Sequence, residues 1–314
     1  MADLKKMLVI MPCYNESEIL PITIKTISSL MNKWIKEKKI GEDSRVCFVN
    51  DGSIDQTWKI ISQAVKKNKL FCGVNLSRNF GHQGAILAGM YDNQADIYVT
   101  IDADLQDNPE CIVEMLEKIK DGCDIVYGVR RSRKSDTWFK KWSAQVYYKF
   151  LNLLGVNVIY NHADYRMMTC RAVETLKQFP ERNLFLRAIV PLIGFNSAQV
   201  YYDRTPRLAG ETKYPLKKMV ALAWNGISNF SIIPLRLVTF MGFFLCFLAF
   251  VFLCFVIYRW SVKGTIVGWA SLVTIITVFS GVQLVSLGII GEYLAKVFVE
   301  VKKRPLYIIK EKIG

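Results

Sequence analysis

The sequence predicts an α/β domain with a mainly parallel sheet, followed by an amphipathic surface segment and a two-helix membrane hairpin. Three observations carry that prediction. Short β-rich runs alternate with helical stretches over about the first hundred residues. A polar cluster stands at the end of four of those runs, and two long uncharged segments lie near the C-terminus.

Strands are expected at 7–11, 45–50, 72–76, 97–101 and 124–129. Helices are expected between them at 17–35, where Ile19, Ile22, Ile27 and Leu30 follow helical spacing, and at 55–67, 83–92 and 109–120. Ligands of such sheets sit beyond the carboxyl ends of the strands. After Arg130 the alternation gives way to a basic loop, Arg130 to Ser135, and then to an aromatic-rich helix expected from Trp138 to Leu154.

Residues 1–214 form the expected catalytic domain. Residues 215–235 mix Lys217 and Lys218 with Met219, Leu222, Trp224 and Phe230, which reads as a segment lying along a bilayer surface. The uncharged runs Leu237 to Tyr258 and Ile266 to Ile290 each exceed the roughly 20 apolar residues that cross a bilayer as a helix. A basic tail, 292–314, closes the chain. Lys213, Lys217, Lys218 and Arg236 precede the first span, Lys302, Lys303, Arg304, Lys310 and Lys312 follow the second, and the loop between holds only Arg259 and Lys263. The positive-inside rule therefore places the catalytic domain and both termini in the cytoplasm, on the inner membrane.

The chain of 314 residues carries a net charge of +14, and its basic residues beside the spans suit anionic lipid headgroups better than nucleic acid. Its eight cysteines include no C-x-x-C pair, and its two histidines, His82 and His162, stand far apart, so neither a disulfide framework nor a zinc site is expected. Gly281, Gly288 and Gly291 offer small surfaces for contacts between protomers, which keeps a homo-oligomer among the expectations.

The chemistry concentrates in the four clusters: Pro12-Cys13-Tyr14-Asn15-Glu16, Asn50-Asp51-Gly52-Ser53, Ser77-Arg78-Asn79-Phe80-Gly81-His82-Gln83 and Asp102-Ala103-Asp104-Leu105-Gln106-Asp107. Alternation at a strand end turns Asp102 and Asp104 to one side, and two carboxylates that close call for a divalent ion, which in turn bridges phosphate oxygens. Gln106 offers a neutral carbonyl ligand, while Asp107 and Asn108 before Pro109 read as a helix N-cap. Asp51 has two readings, a contact to a base or ribose and a turn residue capping the next helix. Glu16 is open in the same way.

Together with Asp164-Tyr165-Arg166-Met167-Met168 and Arg207-Leu208-Ala209-Gly210-Glu211-Thr212-Lys213-Tyr214, these clusters resemble family-2 glycosyltransferases of the polyprenyl-phosphate branch. They are similar to bactoprenol glucosyltransferases and, more distantly, to dolichol-phosphate mannose synthases. The resemblance implies a GT-A fold and an inverting transfer of a hexose from a nucleotide-diphosphate sugar to polyprenyl phosphate. UDP-glucose is the first expectation for the donor, with UDP-N-acetylglucosamine, UDP-galactose and GDP-mannose as alternatives. It implies a nucleotide-sugar site of Pro12, Tyr14, Asn15, Glu16, Asp51, Arg78, Gln83, Asp102, Ala103 and Asp104, and a Mg²⁺ or Mn²⁺ site of Asp102, Asp104 and Gln106. Asp104, Asp164 and Arg130 stand at the implied reaction centre. Arg130, Arg131, Lys141, Arg207 and Lys213 face the acceptor phosphate. Asn50 departs from the pattern, since many relatives carry Asp there, and this leaves Asp51 as the base or ribose contact.

A phosphate acceptor also has a physical rationale. Its second ionisation lies near roughly pH 6, so at neutral pH it is already nucleophilic and needs cations rather than a general base. Arg130, Arg131, Arg133, Lys140, Lys141, Arg207 and Lys213 supply them, and Asp164 is then better suited to orienting cations or sugar than to taking a proton. A processive polysaccharide synthase is disfavoured, because Gln178-Phe179-Pro180-Glu181-Arg182 is not a Q-x-x-R-W motif. An inactive membrane adaptor is the alternative of another class.

Overall fold

The computed structural model describes residues 4–131, 162–181, 185–203, 233–263 and 268–314. The helix expected at 138–154, the amphipathic segment up to residue 232, and Lys140, Lys141, Arg207 and Lys213 lie outside the described residues. The described residues fall into two compact units: 4–131, 162–181, 185–203 and 304–314 in the first, 233–263 and 268–303 in the second.

Strands form where the sequence runs apolar and β-branched, in β1 (Met7–Cys13), β2 (Arg45–Asn50), β3 (Phe71–Leu76), β4 (Ile97–Thr100) and β5 (Ile125–Arg130). Each is buried along almost its whole length, as strands covered on both faces must be. Three strands complete the sheet: β6 (His162–Thr169), β7 (Ser197–Tyr202) and β8 (Ile309–Ile313). The order among the described residues is β7-β5-β6-β4-β1-β2-β3-β8. β1 pairs in parallel with β2 and β4, β2 with β3, and β5 with β7. β6 runs antiparallel between β4 and β5, and β8 runs antiparallel along β3.

The alternation of β1 divides the core. Met7, Val9, Met11 and Cys13 face a cluster with Leu20, Ile27, Met31 and Trp34 of α1 (Leu20–Lys36), Ile61 of α2 (Thr57–Lys67) and Ile112 and Met115 of α4 (Cys111–Lys120). Helical spacing of the buried α1 residues, with Pro21 in the first turn, accounts for that helix. The opposite face meets α3 (His82–Tyr91), whose residues Gly84 to Met90 are all buried. A Cβ on Gly89 would lie 2.4 Å from Ile10 and 3.1 Å from Val49, so the glycine lets α3 lie directly on β1 and β2. Two short helices, α5 (Cys170–Leu176) and α6 (Leu186–Leu192), follow β6.

The second unit holds α7 (Ile233–Lys263, 31 residues) and α8 (Trp269–Lys302, 34 residues). Phe240, Phe243 and Phe247 on α7 and Leu284 and Leu294 on α8 stand exposed. Among the described residues one segment, Val278–Lys302, is long and apolar enough to cross a membrane, with a mean hydropathy of 1.6. The second apolar run was expected to end at Ile290, yet the helix continues to Lys302 and stops at Lys303, which takes a left-handed φ of 46°. The residues beyond are no free tail, because they supply β8.

Candidate active site

The carboxyl ends of β1 to β4 surround a cleft of about 270 Å³ lined by Pro12, Cys13, Tyr14, Glu16, Asp51, Asn79, Gly81, His82, Asp102, Ala103 and Asp104. Seven of the residues assigned to the nucleotide-sugar site therefore meet in one place: Pro12, Tyr14, Glu16, Asp51, Asp102, Ala103 and Asp104. Asn15, Arg78 and Gln83 do not line it; Asn15 and Gln83 tie its walls to neighbouring elements, and Arg78 packs within the loop after β3.

The amide of Asn15 donates to Ser53 Oγ at 3.0 Å and its side-chain oxygen accepts from the Ile54 amide at 3.0 Å, which ties the loop after β1 to the loop after β2. Asn15 adopts φ 56°, a conformation that asparagine tolerates better than most residues. Ser17 and Glu16 join the same seam through Asp55 and Thr57. Arg78 lies over the Phe80 ring at 4.1 Å, and Gln83 Oε1 accepts from the Leu186 amide at 3.0 Å, anchoring α6.

Asp51 lines the cleft and also braces the loop after β3. Its two oxygens accept from the amides of Phe80 at 2.7 Å and Gly81 at 3.0 Å, and the residue is only 3% exposed. Burial pushes its carboxyl up, while the two amides pull it back down. Gly52 permits the approach: with φ at 66°, an added Cβ would fall 2.4 Å from the Arg78 carbonyl carbon and 2.5 Å from the Asn79 nitrogen. Asn50 is buried between Asn75 and Ser53, bonded to both.

Asp102 and Asp104 face the cleft together, and the loop that bears them is pinned where Thr23 donates to the Ala103 carbonyl at 2.7 Å. Burial on the cleft floor, with Asp107, Asp164 and Asp104 nearby, pushes the Asp102 carboxyl up to about 6, against the pull of His82. Asp104 accepts from the Gln106 amide at 3.2 Å; Gln106 itself is 7% exposed and outside the cleft lining. Among the described residues no three His, Cys, Asp or Glu side chains gather into a metal-binding group. Two adjacent carboxylates open to a cleft nevertheless fit a hard divalent ion that takes its other ligands from phosphate and water.

Asp164 lies beside this floor. His82 Nε2 stands 3.5 Å from Asp102 and 3.7 Å from Asp164, bridging the two carboxylates. Asp164 also meets Arg166 at 2.6 Å and Arg187 at 3.0 Å. Burial favours its protonated form, but Arg187, Arg166 and His82 outweigh burial and hold the carboxyl well below the usual carboxylate range. Arg166 is 1% exposed and donates also to the Leu186 carbonyl.

Arg130 is held away from the lining. It donates to Asp107 at 3.1 Å and to Tyr202 Oη at 3.3 Å, and Tyr202 donates to the same Asp107 oxygen at 2.6 Å. Asp107 is therefore the counter-ion of Arg130, and neither it nor Asn108 caps α4: Glu110 stands at the N-cap without a side-chain cap bond, and Asn108 closes the turn before it by accepting from the Glu110 amide. Arg131 is exposed and joins β7 through its backbone amide.

Of the residues that sequence reasoning left off the site, Arg166 had a signal: two positions from Asp164 on one strand, it shares that residue's face. Arg187 had none, since it arrives from α6. His82 stood within a quoted cluster, but a lone histidine has no pattern of its own.

The family model for Glycosyl transferase family 2 matches residues 8–176. The chain is 48% identical over 303 residues to the uncharacterized glycosyltransferase YkoT of Bacillus subtilis (strain 168), covering 96% of this chain and 90% of that protein. It is 36% identical to the bactoprenol glucosyl transferase of Shigella phage SfII, covering 98% of both chains. Among solved structures it is similar to the mannosyltransferase PcManGT from Pyrobaculum calidifontis in complex with GDP-Man and Mn²⁺, at 14% identity and a TM-score of 0.48, over 96% of this chain and 87% of that one.

Proposed function

Because the chain belongs to glycosyl transferase family 2, with an α/β GT-A-like fold, we propose that it transfers a hexose from a nucleotide-diphosphate sugar to polyprenyl phosphate at a membrane surface. The observation that carries the reading is the cleft at the ends of β1 to β4, where Asp102 and Asp104 sit beside the amide-rich loop organised by Asp51. Full-length similarity to proteins named bactoprenol glucosyl transferase supports the lipid phosphate as acceptor. UDP-glucose is the first donor to test.

Tyr14, Glu16, Asn79 and Gly81 flank the nucleotide. Asp102 and Asp104 hold Mg²⁺ or Mn²⁺, which when bound neutralises diphosphate charge. Asp164, ionised and paired with two arginines, is a poor proton acceptor, and a dianionic phosphate needs none. Its task is to fix Arg187 and, through His82, the position of Asp102. Arg130, steadied by Asp107 and Tyr202, joins the basic residues that draw the acceptor phosphate towards the site.

A membrane hairpin is supported by connectivity. β8 follows α8 in sequence yet pairs with β3, which precedes α7. On this reading the two helices together cross a membrane an even number of times, a crossing by Val278–Lys302 being paired with a second by α7. Both termini and the catalytic unit share one side, which the positive-inside rule makes the cytoplasm.

The test is mass spectrometry of lipid products after the purified full chain is offered polyprenyl phosphate and a panel of nucleotide sugars. A lipid-linked hexose with one donor is expected. No product with any donor refutes the reading and favours the inactive adaptor.

A further inference from the structure

The C-terminal residues do more than close the sheet edge. β8 pairs with β3 from Gly73↔Ile313 to Leu76↔Ile309, and the contact continues one step further, where the Ser77 amide donates to the Ile308 carbonyl at 2.9 Å. Ser77 opens the loop whose Phe80 and Gly81 amides hold Asp51 and whose Asn79, Gly81 and His82 line the cleft. The Leu306 carbonyl lies against Gly84 at the start of α3, so close that a Cβ there would sit 3.4 Å away. Three side-chain bonds seat the segment. Tyr307 donates to the Asp92 carboxylate at 2.7 Å, Lys312 donates to the Asp92 carbonyl, and the Trp58 indole donates to Glu311 at 3.1 Å. The apolar side chain of Ile313 fills the space that Gly73 leaves beside β8.

We propose that segment 304–314 is a positioning element of the donor site, holding loop 77–83 at Ser77 while Asp51 holds it at Phe80 and Gly81, so that its amides and His82 keep their places in the cleft. This rests on the donor-site reading above. The physical reason lies in the loop itself. Gly81 takes φ 89° and nothing crowds it, so the backbone there has a wide choice of conformations. The bonds of Asp51 to Phe80 and Gly81 and of Ile308 to Ser77 restrict that choice, together with the contacts of Arg78, His82 and Gln83 described above. Edge pairing by a charged, alternating strand such as Ile309-Lys310-Glu311-Lys312-Ile313 suits a reversible clamp, since it adds backbone bonds with little apolar burial.

The test uses the full chain carrying Ile309→Asp and Ile313→Asp, which puts charge on the half-buried positions of β8, and separately the milder Tyr307→Phe. Hydrogen exchange of the peptide covering 77–83 is the first readout. Protection there is expected to fall in the double variant while that of β1, β2 and β4 is kept, and a synthetic peptide of residues 304–314 is expected to restore it. The second readout is titration with UDP in Mn²⁺. Its affinity should drop about tenfold, the fold-change for losing the net effect of one or two hydrogen bonds, with the peptide again restoring it. Unchanged protection of 77–83 overturns the proposal, as does a general loss of protection that the peptide does not rescue. If the wild-type chain binds neither UDP nor GDP, the donor-site reading fails, whereas the exchange result still decides whether the segment positions the loop.

Discussion

Replacing Asp164 by Asn removes the charge on which a buried cluster depends. Arg166 is 1% exposed, its ion pair with Asp164 is 2.6 Å long, and among the described residues its buried Nε atom has no hydrogen-bond partner. Taking away one partner of a buried ion pair costs about 3–5 kcal/mol because the other charge stays behind. Arg187, with 33% of its side chain exposed, recovers part of its loss through water, so the lower end of that range, about 3 kcal/mol, is expected here. The pH dependence follows from the depressed carboxyl of Asp164. The unfolded chain, with an ordinary carboxyl near about 3.9, binds the proton more readily than the folded one, so the contribution is complete above about pH 5 and is lost as pH falls through and below 4. Urea unfolding of the detergent-solubilised full chain, read by hydrogen exchange in the β4–β6 ladder, measures both effects. The gap between wild type and Asp164→Asn should be about 3 kcal/mol at pH 7 and should narrow as the pH drops below 4. Asp164→Asn combined with Arg166→Met should regain much of the loss, since neither charge is then stranded. A gap below about 1 kcal/mol at pH 7, or one that does not change with pH, refutes the argument. If the variant is as stable as wild type and keeps its turnover, Asp164 has no part in the site.

Gly52→Ala forces a Cβ into the backbone of Arg78 and Asn79 at a positive φ, so UDP affinity should fall at least tenfold, measured by titration calorimetry; normal affinity would mean the loop contact is not needed for the nucleotide. Asp104→Ala and exhaustive chelation should each abolish transfer in a radiolabelled sugar assay, and full turnover with all divalent metal removed sinks the metal assignment. Asp107→Asn weakens the hold on Arg130, and a rise in KM for polyprenyl phosphate with donor KM unchanged is expected; the reverse pattern would remove Arg130 from the acceptor side.

The parallel part of the fold was legible because buried strands must be apolar throughout: β2 and β3 match their expected positions to within one residue at either end. β6 was not, because His162–Thr169 carries Asp164 and Arg166, and charges in a central strand look like loop until their partners are seen. β8 was hidden for another reason. Ile309-Lys310-Glu311-Lys312-Ile313 has the composition of a basic tail, and only its pairing along β3 shows that alternation and charge together make an edge strand. The cleft was legible as four clusters at strand ends, since Asp, Gly and Asn gather there for both turns and ligands. Which residues face the ligand was less so. Asp51 and Gly81 are thirty positions apart, and nothing local to either reports that one carboxylate takes the other's amide.

That division within the clusters bears on how the site works. Asn15, Asp51, Gly52 and Gln83 all serve as joints, linking the loops after β1, β2 and β3 to one another and to α6. Asp107 and Asp164 are likewise joints, each spent on arginine. At Asp102 burial raises the carboxyl first, and Asp107, Asp164 and Asp104 add to that rise against the pull of His82. On the proposed donor-site reading, a diphosphate entering without a cation would add its charge to that of Asp102 and Asp104 at close range. If Asp102 and Asp104 hold a divalent ion as proposed, metal and donor binding would be linked, each raising the affinity for the other, and the joints would keep the two carboxylates in place for both.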